Sequence, residues 1–221
     1  MNLTTTKKRL NGWINLLTAD HIARGRVWYS NAHTFAQELA DTYNIPLDRV
    51  VGVLACLSVN NRWDVNKRNA EDLCRAFSEG LPLEDVSVTT YPEQKAKALA
   101  ILRLEAETDI PAIIGKRTAA KTKAFYDNIL YPKTSFRVTI DRWITRGLGL
   151  EGTISVRGNS WPKTCNAIEE LFRQAALVTD LRPCELQAAM WCCIQETAAA
   201  EKWEGSRPGT GLPPAEEEVP F

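Results

Sequence analysis

The chain has 221 residues, of which 44% are hydrophobic and 24% charged, and its 27 basic and 27 acidic residues give a net charge of zero. This is the composition of a globular protein, and it excludes a collagen, a low-complexity chain and a disordered one. The longest apolar run, residues 50–57, is too short to cross a bilayer, and no apolar stretch follows the lysines near residue 7. We therefore expect a cytoplasmic protein with no signal peptide and no membrane contact.

The spacing of apolar residues predicts an almost entirely helical chain. The third predicted helix is apolar on most sides, so it should be central and buried. Residues 81–91 and 150–160 are predicted loops, and the acidic, Pro/Gly-rich segment 201–221 is a predicted disordered tail. The predicted helices, in chain order, are 4–17, 27–42, 46–58, 64–77, 92–105, 109–114, 118–130, 141–146, 161–178 and 183–201.

Charge is distributed unevenly along the chain. Residues 115–146 hold eight basic and two acidic side chains, a net charge of +6, whereas residues 201–221 carry −3. A local basic excess suits an anionic partner such as a phosphate backbone. It is equally typical of a solvated basic helix face, so charge alone leaves both interpretations open.

Six cysteines are present, but none forms the Cys-x-x-Cys pattern of a metal or redox site, and Cys192 and Cys193 are adjacent. The two histidines, His21 and His33, have no metal ligands near them in sequence. We expect reduced core thiols, no bound metal and no cofactor.

A helical hairpin is predicted between residues 109 and 130, with its tight turn at Gly115. Its second helix opens with Lys116, Arg117 and Thr118, so backbone N–H groups, the helix dipole and cationic side chains could meet a phosphate together. Such contacts position a nucleic acid without reading its sequence. An ordinary helical hairpin ending in glycine accounts for the same residues.

The hairpin is followed by Val138-Thr139-Ile140-Asp141 and then by Arg146-Gly147-Leu148-Gly149. These motifs resemble the helix-hairpin-helix superfamily of DNA base-excision glycosylases, in the endonuclease III-like group. Upstream, Leu57-Ser58-Val59-Asn60 is similar to the end of that family's buried helix, Leu-Ser-x-Gln. The similar motifs run in the family's order from about residue 46 to residue 195.

The resemblance implies an all-α, two-lobed fold with a central cleft and, in this chain, no iron–sulfur cluster. Residues 26–138 would form the helical barrel lobe, with the helix-hairpin-helix near 109–130. Residues 1–25 and 139–200 would form the second lobe. It also implies a monomeric, nucleoid-associated enzyme whose partner is double-stranded DNA.

The implied catalytic residues are Asp141 and Asn60. Breaking an N-glycosidic bond builds positive charge on the sugar, which a nearby carboxylate such as Asp141 stabilises while it orients water. Asn60 would enter the DNA beside the flipped nucleotide. Aspartate is also a common helix N-cap, and one carboxylate can fill both roles. The implied DNA-binding residues are Gly115, Lys116, Arg117, Thr118, Lys121, Asn61, Arg62 and Arg142.

Four aromatic residues could line the base pocket, although core packing is the more common role for a tryptophan. They are Trp28, Tyr29, Trp63 and Trp143.

The chain departs from the family's pattern in three ways. Ile113 replaces the first hairpin glycine, with one residue inserted, and the four-cysteine iron–sulfur pattern is missing. Arg117 stands at the place of the lyase lysine, and a guanidinium cannot form a Schiff base. We therefore expect a monofunctional glycosylase, unless a shift of one residue brings Lys116 to that place.

Two other functions are compatible with the same residues. Phage base-hypermodification enzymes include amino acid:DNA transferases that resemble these glycosylases and act on modified thymine. A non-catalytic DNA-binding relative is the third possibility.

Overall fold

The computed structural model describes residues 1–104, 109–115, 119–150 and 160–205. The regular secondary structure of these residues is helical, and no strand occurs among them. This confirms the predicted all-α class. A single 3-10 turn, Leu83–Asp85, interrupts the predicted loop 81–91. The helices are α1 Leu3–Leu16, α2 Ala19–Tyr43, α3 Leu47–Leu57, α4 Trp63–Ser78, α5 Pro92–Leu102, α6 Ile110–Ile114, α7 Ala120–Leu130, α8 Arg142–Gly147, α9 Trp161–Thr179 and α10 Pro183–Gly205.

The chain divides into two compact units. The first unit comprises Met1–Trp28 and Ile140–Phe221, and the second comprises Tyr29–Thr139. The boundary between residues 28 and 29 falls inside α2, so that helix contributes its first turns to one unit and the rest to the other.

Helix α3 forms the core of the second unit. Every residue from Val50 to Leu57 is buried, as its apolar sequence predicts for a helix surrounded on all sides. Helices α4, α5, α6 and α7 pack against it. At Gly52, an added Cβ would come within 3.1 Å of Ile101, so α3 and α5 approach closely there.

Helix α10 is the element against which α1, α8 and α9 pack in the first unit. The first turns of α2 also approach it closely at Gly25. A Cβ added to Gly25 would lie 2.6 Å from the carbonyl oxygen of Glu185 and 2.7 Å from the Cβ of Ala189. Only glycine therefore fits at this crossing without a backbone shift.

Helix α2 begins at Ala19, eight residues before the predicted start at residue 27. The cause is a reciprocal cap at Thr18. The Thr18 hydroxyl accepts the backbone N–H of His21 at 3.2 Å, and the His21 ring accepts the backbone N–H of Thr18 at 3.1 Å. This is the geometry of a capping box with histidine in place of the usual glutamate or glutamine.

Helix α10 continues to Gly205, four residues beyond the predicted end at residue 201. The predicted tail is thus helical over 201–205, and its remainder, 206–221, lies outside the described residues, as does 151–159 of the predicted loop. Among the described residues, no helix is both long and apolar enough to span a membrane.

Candidate functional site

Side chains cap the carboxyl end of α3 by hydrogen bonding to its last carbonyl groups. The last carbonyl groups of a helix lack intrahelical partners and must find other donors. The Ser58 hydroxyl donates to the carbonyl oxygen of Ala55 at 2.8 Å. The side-chain amide of Asn61 donates to the carbonyl oxygen of Leu57 at 3.3 Å.

Two donors come from elsewhere in the second unit. The Thr90 hydroxyl donates to the carbonyl oxygen of Val59 at 3.0 Å. The Lys121 ammonium group donates to the carbonyl oxygen of Ser58 at 3.2 Å and lies 3.1 Å from its hydroxyl oxygen. A cation at this place also faces the negative end of the α3 dipole. We name Ser58, Asn61, Thr90 and Lys121 the α3 collar.

Asn60 projects from the middle of this collar. Its side chain is exposed, and its backbone is left-handed, with φ of 56°. Asparagine tolerates that conformation better than most residues do. Before Asn60 the collar binds the carbonyl groups of Ser58 and Val59, and after it the side chain of Asn61 is bonded to Leu57, so hydrogen bonds anchor the turn that carries the exposed amide.

The predicted hairpin is described only in part. Helix α6 begins with an Asp109 cap and ends at Gly115, whose φ of 141° and ψ of 177° form a backbone conformation open essentially to glycine alone. Helix α7 resumes at Ala120, and α6 and α7 contact each other. The predicted phosphate ligands Lys116, Arg117 and Thr118 lie outside the described residues.

Lys97 is a basic residue at this turn that sequence reasoning did not select. Its ammonium group donates to the carbonyl oxygen of Ile114 at 3.0 Å and would lie 3.6 Å from a Cβ added at Gly115. The Lys-Ala-Lys-Ala spacing of α5 was the available signal. Its amine caps α6 and places a positive charge beside Gly115.

Asp141 caps α8, as the sequence predicts. Its Oδ1 accepts the backbone N–H of Ile144 at 2.9 Å, and the residue is half-buried. The residue before it, Ile140, is buried in the first unit. The carboxylate is therefore held in one orientation at a partly hydrated position.

Helix α8 has only six residues, and α1 holds its far end. The Trp13 indole N–H donates to the carbonyl oxygen of Gly147 at 2.9 Å, and the Arg9 guanidinium donates to that of Leu148 at 3.1 Å. These two α1 residues were not selected from the sequence, because the contacts join segments more than 130 positions apart. They fix the helix that carries Asp141.

Two of the predicted pocket aromatics are core residues of the second unit. Tyr29 is 3% exposed and Trp63 is 8% exposed, and both pack edge-to-face against Phe125. The Tyr29 hydroxyl donates to the Thr139 hydroxyl at 2.8 Å. By contrast, Phe136 is 60% exposed, so it is an aromatic side chain available for stacking that the sequence did not single out.

The other two predicted aromatics are half-buried in the first unit. Trp28 packs edge-to-face on Trp191, with ring centroids 6.1 Å apart. The guanidinium carbon of Arg146 lies over the Trp143 ring, 5.8 Å from the ring centroid. Of the predicted DNA contacts, Arg142 is exposed on α8.

Arg62, another predicted DNA contact, is exposed and lies next to the collar residue Asn61. Its guanidinium is 3.3 Å from the carboxylate of Asp64. Helix α4 begins at Trp63 with Arg62 as its N-cap, so Asp64, at which the predicted helix begins, lies inside the first turn and is not the cap. Of the predicted site residues, the structure brings Asn60, Asn61, Arg62 and Lys121 together at the end of α3.

A polar cluster in the first unit involves His21, which the sequence left without a role. The His21 Nε2 lies 2.7 Å from the Glu196 carboxylate, which also pairs with Arg24. Because His21 Nδ1 accepts the Thr18 N–H, Nε2 is the donor to Glu196. Burial would raise the pKa of Glu196, but the hydrogen bonds from His21 and Arg24 outweigh it and lower that pKa.

All six cysteines are free and buried. Burial raises the pKa of Cys56 to about 12 and that of Cys192 to about 11. Within the described part of the chain, no group of three or more His, Cys, Asp or Glu side chains could hold a metal ion.

Residues 3–198 match a family of unknown function, DUF7178. The chain belongs to this family. No curated protein and no solved structure matches it. The matched residues include the α3 collar, the hairpin and Asp141, and they end before the acidic segment 201–221.

Proposed function

We propose that the protein binds double-stranded DNA and removes a modified or damaged base as a monofunctional DNA glycosylase, with the two-lobed helix-hairpin-helix fold of that group. The observation that carries the proposal is Asp141. A half-buried carboxylate, fixed by its own helix cap, follows an apolar segment and a hairpin whose turn is built on a positive-φ glycine.

The chemistry fits such a carboxylate. Loss of a base places positive charge on the deoxyribose, and a carboxylate held in advance stabilises this charge without having to reorganise during the reaction. The hydrogen bond from Ile144 to Oδ1 and the anchoring of α8 by Arg9 and Trp13 supply that rigidity. Asp141 would also orient the attacking water.

The α3 collar supports the base-flipping part of the proposal. An enzyme that acts on a base must take it out of the stack, and a rigid polar side chain can occupy the vacated space. Asn60 is exposed on a left-handed turn, and the two carbonyl groups before it, those of Ser58 and Val59, accept hydrogen bonds from the collar. Arg62 lies beside it and could contact the flanking phosphates.

The proposed enzyme acts as a monomer on duplex DNA and is associated with the nucleoid. It leaves an abasic site in an intact strand, because Arg117 cannot attack the sugar as a neutral amine. Borohydride should therefore trap no protein–DNA adduct, and strand breaks should appear only after hot alkali. An adduct that disappears in Lys116→Ala would show that the enzyme is a lyase.

The deciding experiment incubates the purified protein with a panel of modified and damaged DNAs, followed by mass spectrometry of released bases and of nucleosides. A free base establishes a glycosylase. A thymine-derived nucleoside of altered mass would instead establish a base-hypermodifying transferase. Binding without either product would leave a non-catalytic DNA-binding protein.

A further inference from the structure

Helix α1 presents a basic, polar face that packs against no described element. The first 19 residues contain three basic side chains, Lys7, Lys8 and Arg9, and no acidic one. Arg9 is directed at α8, where it donates to Leu148. The two lysines are exposed, and four small or polar residues lie beside them on the same side of the helix. We name this surface the α1 outer face: Thr4, Lys7, Lys8, Asn11, Gly12 and Asn15.

We propose that the α1 outer face binds the sugar-phosphate backbone of DNA. Lysine, threonine and asparagine are among the side chains that supply phosphate contacts, and none of the six residues of this face is acidic or bulky and apolar. A Cβ added to Gly12 would meet no atom within 4 Å, so the helix backbone is open to a ligand at that point. The inference rests on the proposed DNA-binding function.

The dimensions of the face suit a strand of duplex DNA. Residues 4 to 15 span about 16 Å along the helix at 1.5 Å per residue. Because the phosphates of one strand also wind around the duplex as they advance along its axis, a straight helix of this length could contact a few neighbouring phosphates. These contacts would be independent of base sequence.

The inner side of the same helix links this surface to Asp141. Arg9 and Trp13 hold the carboxyl end of α8, and Asp141 caps its amino end. A strand bound on the outer face of α1 would therefore be held at a fixed place relative to the Asp141 carboxylate. In this arrangement α1 is a positioning element, and its lysines take no part in the chemistry.

The test compares Lys7→Gln, Lys8→Gln and the double variant with Lys163→Gln, a matched change at an exposed lysine of α9 in the same unit. Binding to an unmodified duplex is measured by fluorescence anisotropy over a range of salt concentrations, with circular dichroism to check folding. Each single α1 variant should bind about three- to tenfold more weakly and flatten the salt slope by up to about one unit, and the double variant should flatten it by up to about two. Lys163→Gln should match the wild type.

The other outcomes overturn the inference in distinguishable ways. If the wild type binds DNA and the α1 variants bind equally well, the face is not a DNA surface, and the proposed function is untouched. If the wild type binds no DNA, the proposed function fails and the inference fails with it.

Discussion

The ammonium group of Lys121 donates a hydrogen bond to the carbonyl oxygen of Ser58, 63 positions earlier in the chain. This contact joins the second helix of the hairpin to the turn that carries Asn60. Lys121, which the sequence predicts to bind DNA, therefore also supports the backbone beside Asn60. Its role as a phosphate ligand stays a prediction.

Replacing Lys121 by Met should destabilise the second unit and loosen the Asn60 turn, because the Ser58 carbonyl group loses its charged donor. We expect a loss of about 1–2 kcal/mol in the free energy of unfolding. Urea denaturation measures the loss, and amide exchange at residues 59–62 reports on the turn. Lys123→Met, on the same helix and outside the collar, is the control, and an equal effect there would refute the role of the collar.

Gly25 and Gly12 should respond to alanine with opposite signs. Gly25→Ala forces a Cβ against the backbone of α10, so we expect a loss of about 1–3 kcal/mol in the free energy of unfolding. Gly12→Ala meets open space inside α1 and should stabilise the protein by about 0.5–1 kcal/mol, because alanine is the better helix former. Thermal denaturation of both variants checks this. A stabilising Gly25→Ala would contradict the close crossing.

The cluster of Glu196 with His21 and Arg24 should make the free energy of unfolding depend on pH in the acid range. Since the folded-state pKa of Glu196 lies below the ordinary value of 4.5, its contribution is fully present above that value. The contribution is lost as pH falls through the folded-state pKa, when the carboxyl group is protonated. Glu196→Gln should therefore flatten the acid limb of stability against pH.

Urea denaturation at a series of pH values from roughly 3 to 7 measures this effect, since linkage confines it to the range around both pKa values. Glu170→Gln, at a more exposed carboxylate on α9, is the matched control and should change the profile less. An unchanged acid limb in Glu196→Gln would show that the cluster contributes no pH-dependent stability.

The cysteines should be inert in the folded protein. All six are buried, and burial raises the pKa of Cys74 to about 12 as it does for Cys56, so little thiolate forms near neutral pH. A chromogenic disulfide reagent should react with them only at the rate of unfolding, and fully in denaturant. Rapid labelling of the native protein would contradict the described burial.

The all-α class could be predicted from the sequence because the signals for it are local. The run at residues 50–57 is apolar at every helical position, and α3 is buried as expected. Asp141 occupies a favoured cap position, and it does cap α8. The early start of α2 was missed because His21 takes the capping-box place at which glutamate or glutamine is the recognised signal.

The arrangement of the candidate site could not be predicted to the same extent. The sequence does not show whether an aromatic side chain on a helix faces the core or a pocket. Trp63 and Tyr29 are predicted to line the base pocket, and the structure places both in the core of the second unit. The contacts of Lys121 with Ser58 and of Arg9 with Leu148 join distant segments through tertiary packing. No local pattern marks either pair.

Comparison of the wild type with Asp141→Asn tests the central claim most directly. Both proteins are incubated with a DNA substrate on which the wild type acts, and the released base is measured under single-turnover conditions beside DNA affinity and unfolding free energy. Asparagine keeps much of the cap but loses the charge, so we expect nearly unchanged binding and folding and a chemical step slower by orders of magnitude, at least about a hundredfold. Full base release by Asp141→Asn would contradict the claim, as would a loss of stability with unchanged turnover per folded molecule.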